Sequence, residues 1–272
     1  MTKSTDLLSQ ESHFAFGKNW ASYATLVTDA QIAEAVAGLS KLVGPDLTGK
    51  RFVDIGCGSG LHSLAALRLG AAEVLSLDID PDSVATTRQM LERHAPEKAW
   101  RVEQRSVFDL DPASLGQFDV VYSWGVLHHT GSMYRAIRTA ALLVAPGGQL
   151  VVALYRRTRM CWFWKLEKNW YSNAGAGAQK FAQKIYLAVF RLVNRKVFKD
   201  YVANYRSNRG MDFYHDLHDW LGGWPYESIS PAQTVQLMQE LKLREVRSFT
   251  HPTTPLGLFG SGCDEYVYAR SR

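Results

Sequence analysis

The chain has 272 residues, 46% of them hydrophobic and 21% charged, with a formal net charge of +5. That balance excludes an intrinsically disordered protein and supplies ample apolar material for a large core, and no run approaches the roughly 20 apolar residues of a membrane span. Cys57, Cys161 and Cys263 are widely separated and form no Cys-x-x-Cys pair, which argues against a disulfide framework or a zinc site, so no metal is expected. The first dozen residues are polar apart from Leu7-Leu8, without the apolar segment of a secretory signal, and a cytoplasmic location is expected. The mild positive charge fits an anionic partner or plain solubility.

His13 to Gly44 repeats apolar residues at helical spacing, among them Trp20, Tyr23, Leu26 and Val27 and then Ile32, Val36, Leu39 and Val43. The spacing predicts two helices beside the core, the second capped by Asp29. Phe52 to Cys57 predicts a first strand, which stops in the alternating glycines Gly56, Gly58 and Gly60 and passes into a helix over Leu61 to Leu69. Glycine suits such a turn because the backbone must bend sharply, take positive φ and approach a ligand where a Cβ would intrude. The second strand, Ala72 to Ile79, places Asp78 roughly 20 residues beyond the loop, the separation at which an acid grips a ribose diol. No Gly-Lys-Ser/Thr follows, and the pattern is not Gly-x-Gly-x-x-Gly, so phosphate is not the indicated ligand.

Asp80 or Asp82 caps a helix through Val84, Met90 and Leu91, and Trp100 to Val107 and Phe118 to Trp124 predict two more strands. A helix from Met133 to Val144 is stopped by Pro146-Gly147-Gly148, and Gln149 to Tyr155 predicts a fifth strand. The alternation implies an α/β, doubly wound, mainly parallel sheet with ligands at the carboxyl ends of its strands. Arg156 to Trp224 breaks it. The first part is basic and aromatic, with eleven Lys and Arg opposed by Glu167 and Asp200; the second, from Met211 to Glu227, is acidic and aromatic. A helix over Pro231 to Leu241, capped by Ser230, and strands over Arg244 to Thr250 and Glu265 to Arg270 complete the chain.

Asp54-Ile55-Gly56-Cys57-Gly58-Ser59-Gly60, followed by a second strand ending in Asp78, resembles the first two motifs of the class I S-adenosylmethionine-dependent methyltransferases of small-molecule type. The resemblance covers Arg51 to Tyr155 and, by pattern, the C-terminal segment. It implies a seven-stranded Rossmann-like sheet closed by an antiparallel pair, in one domain spanning residues 1–272. Its parts are an N-terminal helical cap (1–50), a cofactor-binding core (51–155), a helical acceptor-side insert between the fifth strand and the last helix (156–228), and a C-terminal helix and strands (229–272). It also implies S-adenosylmethionine as cofactor, with Asp54, Gly56, Gly58 and Gly60 around its methionine end, Asp78 and Ile79 at the ribose, Phe108 and Asp109 at adenine, and Trp124 at the end of the fourth strand. Phe14 to Trp20 then reads either as helix packing or as a lid over the cofactor.

Leu127-His128-His129-Thr130 resembles a stretch that lines the cleft between cofactor and acceptor in many such enzymes. Adjacent residues at a strand end point in different directions, so at most one of the two histidines faces the acceptor, and His129 is the preferred base. On the acceptor side the candidates are Trp20, His128, Tyr155, Asp212, Trp220 and Tyr226. Asp212, Asp216 and Asp219 share one helical face, where carboxylates repel unless they meet cations. Either they bind a cationic acceptor, with Asp216, Asp219 or Glu227 taking its proton, or they pair internally with Arg206, Arg209 or the basic insert. The first reading favours N-methylation of an amine or guanidine; O-methylation of a sugar or a phenol or quinol by a histidine base is the alternative. A nucleic-acid acceptor is not expected, since no base-flipping motif ends the fourth strand and no RNA-binding module accompanies the basic residues. Phe181 to Phe198 interleaves apolar and basic residues, as in a helix lying on an anionic membrane or one packed on the core with a solvated face.

Overall fold

The computed structural model describes residues 16–24, 27–196, 198–203, 213–250, 256–260 and 262–272. The expected helix start at His13 and the candidate Asp212 lie outside these residues, as do Arg206 and Arg209. Two helices, α1 (Phe16–Ala24) and α2 (Asp29–Val43), precede the alternating core. The core runs β1 (Arg51–Ile55), α3 (Leu61–Arg68), β2 (Glu73–Asp78), α4 (Pro81–His94), β3 (Trp100–Gln104), α5 (Pro112–Leu115), β4 (Phe118–Trp124), α6 (Met133–Leu142) and β5 (Val144–Tyr155). The insert supplies α7 (Cys161–Asn173), α8 (Ala176–Val193), α9 (Phe198–Ala203) and α10 (Phe213–Gly222), and the chain closes with α11 (Pro231–Glu240), β6 (Leu243–Phe249) and β7 (Cys263–Arg270).

The seven strands are ordered β3-β2-β1-β4-β5-β7-β6, with β7 antiparallel to both of its neighbours and the remaining pairs parallel. Near-continuous apolar strands are what a sheet covered on both faces requires. One face packs α2, α3 and α4 through Leu39, Leu64, Leu67 and Leu91, and the other packs α6 and α11 through Ile137, Ala140, Leu237 and Met238. The chain order reverses between β1 and β4, which opens a crevice at their carboxyl ends.

Two local expectations need correction. The α6 helix stops at Leu142, and β5 begins at Val144 instead of Gln149, because the register between Phe118–Val144 and Val120–Gln149 shifts and Pro146-Gly147-Gly148 forms an irregularity within the strand. The cap of α2 is Thr28, paired with Gln31 in a capping box, and Asp29 is the first residue of the helix; of the two caps expected for α4, Asp80 serves, its Oδ1 accepting from Asp82 N–H at 2.8 Å.

The glycine turn is steric at each position. Gly56, Gly58 and Gly60 have φ of +79°, +54° and +78°. A Cβ on Gly60 would stand 2.9 Å from the backbone Cα of Thr87 on α4, so this glycine sets the approach of α4 to the start of α3. Gly60→Ala is therefore expected to lower the unfolding free energy by about 1–3 kcal/mol, from strain at positive φ plus overpacking against backbone. Chemical denaturation of the two proteins measures it.

Candidate active site

At the end of β1, Asp54 is buried and held from behind. Ser63 Oγ on α3 donates to Asp54 Oδ2 at 2.7 Å, and Ser76 Oγ on β2 donates to Ser63 Oγ at 2.7 Å. Burial raises the Asp54 carboxyl to about 7. Asp78 accepts from Gly58 N–H at Oδ2 and from Asp80 N–H at Oδ1, each at 3.0 Å, and burial raises it to about 6. The two acids thus flank the glycine turn beside the crevice, Asp78 ordering its Gly58 amide and Asp54 tied to α3. Ile79 follows Asp78, and its carbonyl accepts from Gln104 Nε2 at 3.0 Å.

The α1 helix closes over this turn. Gly17 N–H donates to Asp80 Oδ2 at 3.0 Å, and the Trp20 indole lies 3.3 Å from where a Gly58 Cβ would sit. Trp20, expected on the acceptor side, therefore stands over the glycine turn. The Phe16 ring at the other end of α1 is 5.2 Å from that of His129, so one helix reaches from the turn to the histidine pair.

Other expected cofactor residues have local tasks. Gly60 spaces α3 from α4. Trp124 Nε1 donates to Glu265 Oε1 on β7 at 2.8 Å. Phe108 lies under the Arg135 guanidinium, 4.6 Å from its ring centroid, and the Asp109 carboxylate is exposed.

On the acceptor side an aromatic cluster gathers around Tyr155. Its ring centroid is 3.8 Å from His128, 5.3 Å from His129, 5.2 Å from Trp220 and 5.4 Å from Tyr226. His128 is fully buried. Its Nδ1 accepts from Tyr155 N–H at 3.4 Å, and its Nε2 has no hydrogen-bond partner among the described residues. Burial, with smaller contributions from the neighbouring His129 and Lys168, lowers its pKa well below the usual histidine value. His129 Nδ1 lies 2.8 Å from the Pro225 carbonyl, which can only accept; Nδ1 therefore carries a proton, and in the neutral ring the lone pair is on Nε2. Glu227, expected as a proton acceptor, bonds the start of α6, its Oε2 accepting from Met133 N–H at 2.7 Å.

Sequence reasoning missed the group at the centre of this region, Lys168. Counted among the basic residues of the insert, it lies on α7 with Trp164 and Tyr171 at i−4 and i+3, the buried face of the helix. Its Nζ is fully buried, stands 3.6 Å over the Trp220 ring and 5.4 Å from Tyr226, and makes no hydrogen bond among the described residues. Burial lowers its pKa to about 7 against the opposing attraction of Glu167, Asp216 and Asp219. Lys168 on α7 is thus a cation of the basic insert whose charged form these carboxylates favour. The periodicity of Trp164, Lys168 and Tyr171 is the signal that could have found it.

Residues 53–150 match the family model of a methyltransferase domain. A ubiquinone biosynthesis O-methyltransferase of Xanthomonas oryzae pv. oryzae (strain PXO99A) is 38% identical over 115 residues, 42% of this chain and 46% of that protein. The match thus spans less than half the length of this relative. Among solved structures, magnesium protoporphyrin IX methyltransferase from Synechocystis PCC 6803 with bound S-adenosylhomocysteine superposes with a TM-score of 0.53 at 16% identity, over 88% of this chain and 82% of that one. The N-methyltransferase NodS from Bradyrhizobium japonicum WM9, also with S-adenosylhomocysteine, gives 0.50 at 13% identity over 90% and 89%. At such identities the likeness is one of fold, shared by enzymes named for different acceptors.

The buried lysine has a consequence for stability. Since its pKa is lowered from 10.5 to about 7 in the folded protein, the unfolded chain holds a proton that the folded one lacks as pH rises above 7, and stability increases through that window. Lys168→Met removes this titration along with the cost of burying the ammonium. The variant is expected to be the more stable at pH 7, with a gap that narrows toward pH 10. Paired urea titrations across that range measure it, and a gap that stays constant from pH 7 to pH 10 would show that Lys168 is solvated.

Proposed function

We propose, from a chain whose core is that of a class I S-adenosylmethionine-dependent methyltransferase, that the protein transfers a methyl group from S-adenosylmethionine to a hydroxyl oxygen of a small molecule. The cofactor, when bound, supplies a methyl carbon already activated on a sulfonium, so the protein has to position two reactants and manage one proton. The residues at the crevice fit it. The glycine turn offers backbone without Cβ atoms, Asp78 keeps carboxylate lone pairs beyond its two backbone bonds for a ribose diol, and Asp54 sits behind the same turn.

The observation that carries the acceptor reading is the Lys168 ammonium, buried over Trp220 without a hydrogen-bond acceptor among the described residues. A cation in that position would repel an ammonium or guanidinium acceptor and would stabilise an oxyanion as a hydroxyl loses its proton. Asp216 and Asp219, the carboxylates of the N-methylation reading, favour the charged form of that lysine. His129, with its proton fixed on Nδ1 by the Pro225 carbonyl, presents Nε2 as the base for the hydroxyl. The O-methyltransferase named among the relatives supports the same acceptor atom. Tyr155, Trp220 and Tyr226 would bracket a flat or apolar acceptor.

Two measurements test the two halves of this reading. For the cofactor half, Asp78→Ala should weaken S-adenosylhomocysteine binding by about 1.5–3 kcal/mol, the scale of charged hydrogen bonds. Because burial raises Asp78 to about 6, the wild-type affinity should also rise as pH increases from 5 to 7 and the carboxylate ionises. Calorimetry that finds neither effect removes Asp78 from the ribose. For the acceptor half, Lys168→Met should spare cofactor affinity and lower kcat by at least ~10²-fold with a phenol or other hydroxyl acceptor. Normal turnover of an amine by that variant would return the N-methylation reading to first place.

A further inference from the structure

The α8 helix, eighteen residues from Ala176 to Val193, contains no buried residue. One side, through Ala182, Tyr186 and Leu187, touches the Trp164–Tyr171–Trp220 cluster. The opposite side carries Phe181, Ile185, Val189 and Leu192 at i, i+4, i+8 and i+11, a single stripe with each side chain 42–66% exposed. Lys180, Lys184 and Arg191 each precede a stripe residue by one position and so line one margin of it, about 100° around the helix. The neighbouring α7 repeats the division. Trp164, Lys168 and Tyr171 point inward, while Trp162, Leu166 and Trp170, at i, i+4 and i+8, are 51–67% exposed.

Ten of the sixteen large hydrophobic side chains exposed among the described residues lie between Trp162 and Tyr201. The same segment holds most of the charge asymmetry. Residues 156–203 contain eleven Lys and Arg and two acids, a net +9 in a chain whose total is +5, so the rest of the molecule is net acidic. Of the two sequence readings of this segment, a core helix with a solvated face would present its polar residues outward. Here the outward face is apolar and its margin cationic. That combination defines an interfacial helix, with aromatic and aliphatic side chains for the acyl boundary and lysines and arginines for anionic headgroups.

We infer that the outward faces of α7 and α8 form a docking surface for an anionic phospholipid membrane, on which the protein lies peripherally. No helix among the described residues is long and apolar enough to cross a bilayer, so the contact is with the interface. A second copy of the chain is the poorer occupant, because it would set two segments of net +9 against each other. The surface has a bearing on the site behind it. The inward face of α7 carries Lys168 and Trp164 into the acceptor-side cluster, so one helix would meet lipid on one side and the acceptor on the other. The membrane contact stands without the methyl-transfer reading, and its test does not use activity.

The test is flotation of the full chain with vesicles of phosphatidylcholine alone or mixed with phosphatidylglycerol. The wild type should float with the mixed vesicles at least ~10-fold more than with the neutral ones, and raising salt from roughly 50 mM to roughly 0.5 M should remove most of that difference. Ile185→Asp with Leu192→Asp should abolish flotation on both vesicles while leaving S-adenosylhomocysteine affinity and the thermal midpoint unchanged, since both side chains are exposed. Lys180→Glu with Lys184→Glu should remove only the preference for the anionic lipid. No flotation at low salt, or flotation that the Asp pair leaves intact, overturns the proposal. So does a wild-type dimer in light scattering that the Asp pair converts to monomer, which would make the stripe a protein interface.

Discussion

The lack of room at the glycine turn is the constraint on which the rest of the molecule depends. Gly60 faces Thr87 Cα on α4, Gly56 faces the Val126 methyls after β4, and Gly58 faces the Trp20 indole on α1. Three separate elements are therefore brought to one loop by the absence of three Cβ atoms. The acids complete the arrangement from inside the sheet, Asp78 ordering the Gly58 and Asp80 amides and Asp54 tied through Ser63 to Ser76. Asp80 in turn caps α4 and holds the Gly17 amide of α1. The loop, two helices and the covering segment are joined by one connected set of hydrogen bonds from carboxylates to amides and hydroxyls.

The acceptor side is organised by charge. Moving a lysine ammonium out of water costs several kcal/mol, and Lys168 recovers part of it from Trp220, a contact worth about 2 kcal/mol when desolvated, and part from the nearby acids. An apolar residue in its place would fit the cluster of Trp164, Tyr171 and Tyr226 without that cost. A charge held at such expense, with hydrogen-bonding capacity unfilled, is characteristic of a group positioned for chemistry.

The fold was legible because its signals are local. Strand, glycine turn and helix follow within a few residues, caps such as Asp80 and Ser230 stand next to the helices they start, and the apolar runs of β1 and β4 have the length of buried strands. The acceptor side was only partly legible. Tyr155, Trp220, Tyr226 and the two histidines were chosen from their types and do come together. Lys168 was lost because it sits in a run of surface cations, and the aromatic rings that bury it come from α10 and the turn after it. Glu227 was chosen as one of the carboxylates of the acidic segment, and only the tertiary structure reveals that its Oε2 accepts from the Met133 amide on α6.

The inserted helices and the core follow opposite rules, and the difference bears on what the insert is for. In the core, α6 and α11 turn an apolar face to the sheet and a largely polar face outward. In α7 the inward face includes a lysine and the outward face two tryptophans and a leucine. Exchanging those positions would give an ordinary amphipathic helix and a more stable protein. A sequence that places its cation inside and its indoles outside forgoes stability at both faces, which is intelligible when the inner face meets a reacting oxygen and the outer face meets lipid. The two proposals thus account for the two irregularities of one helix, although each can fail without the other.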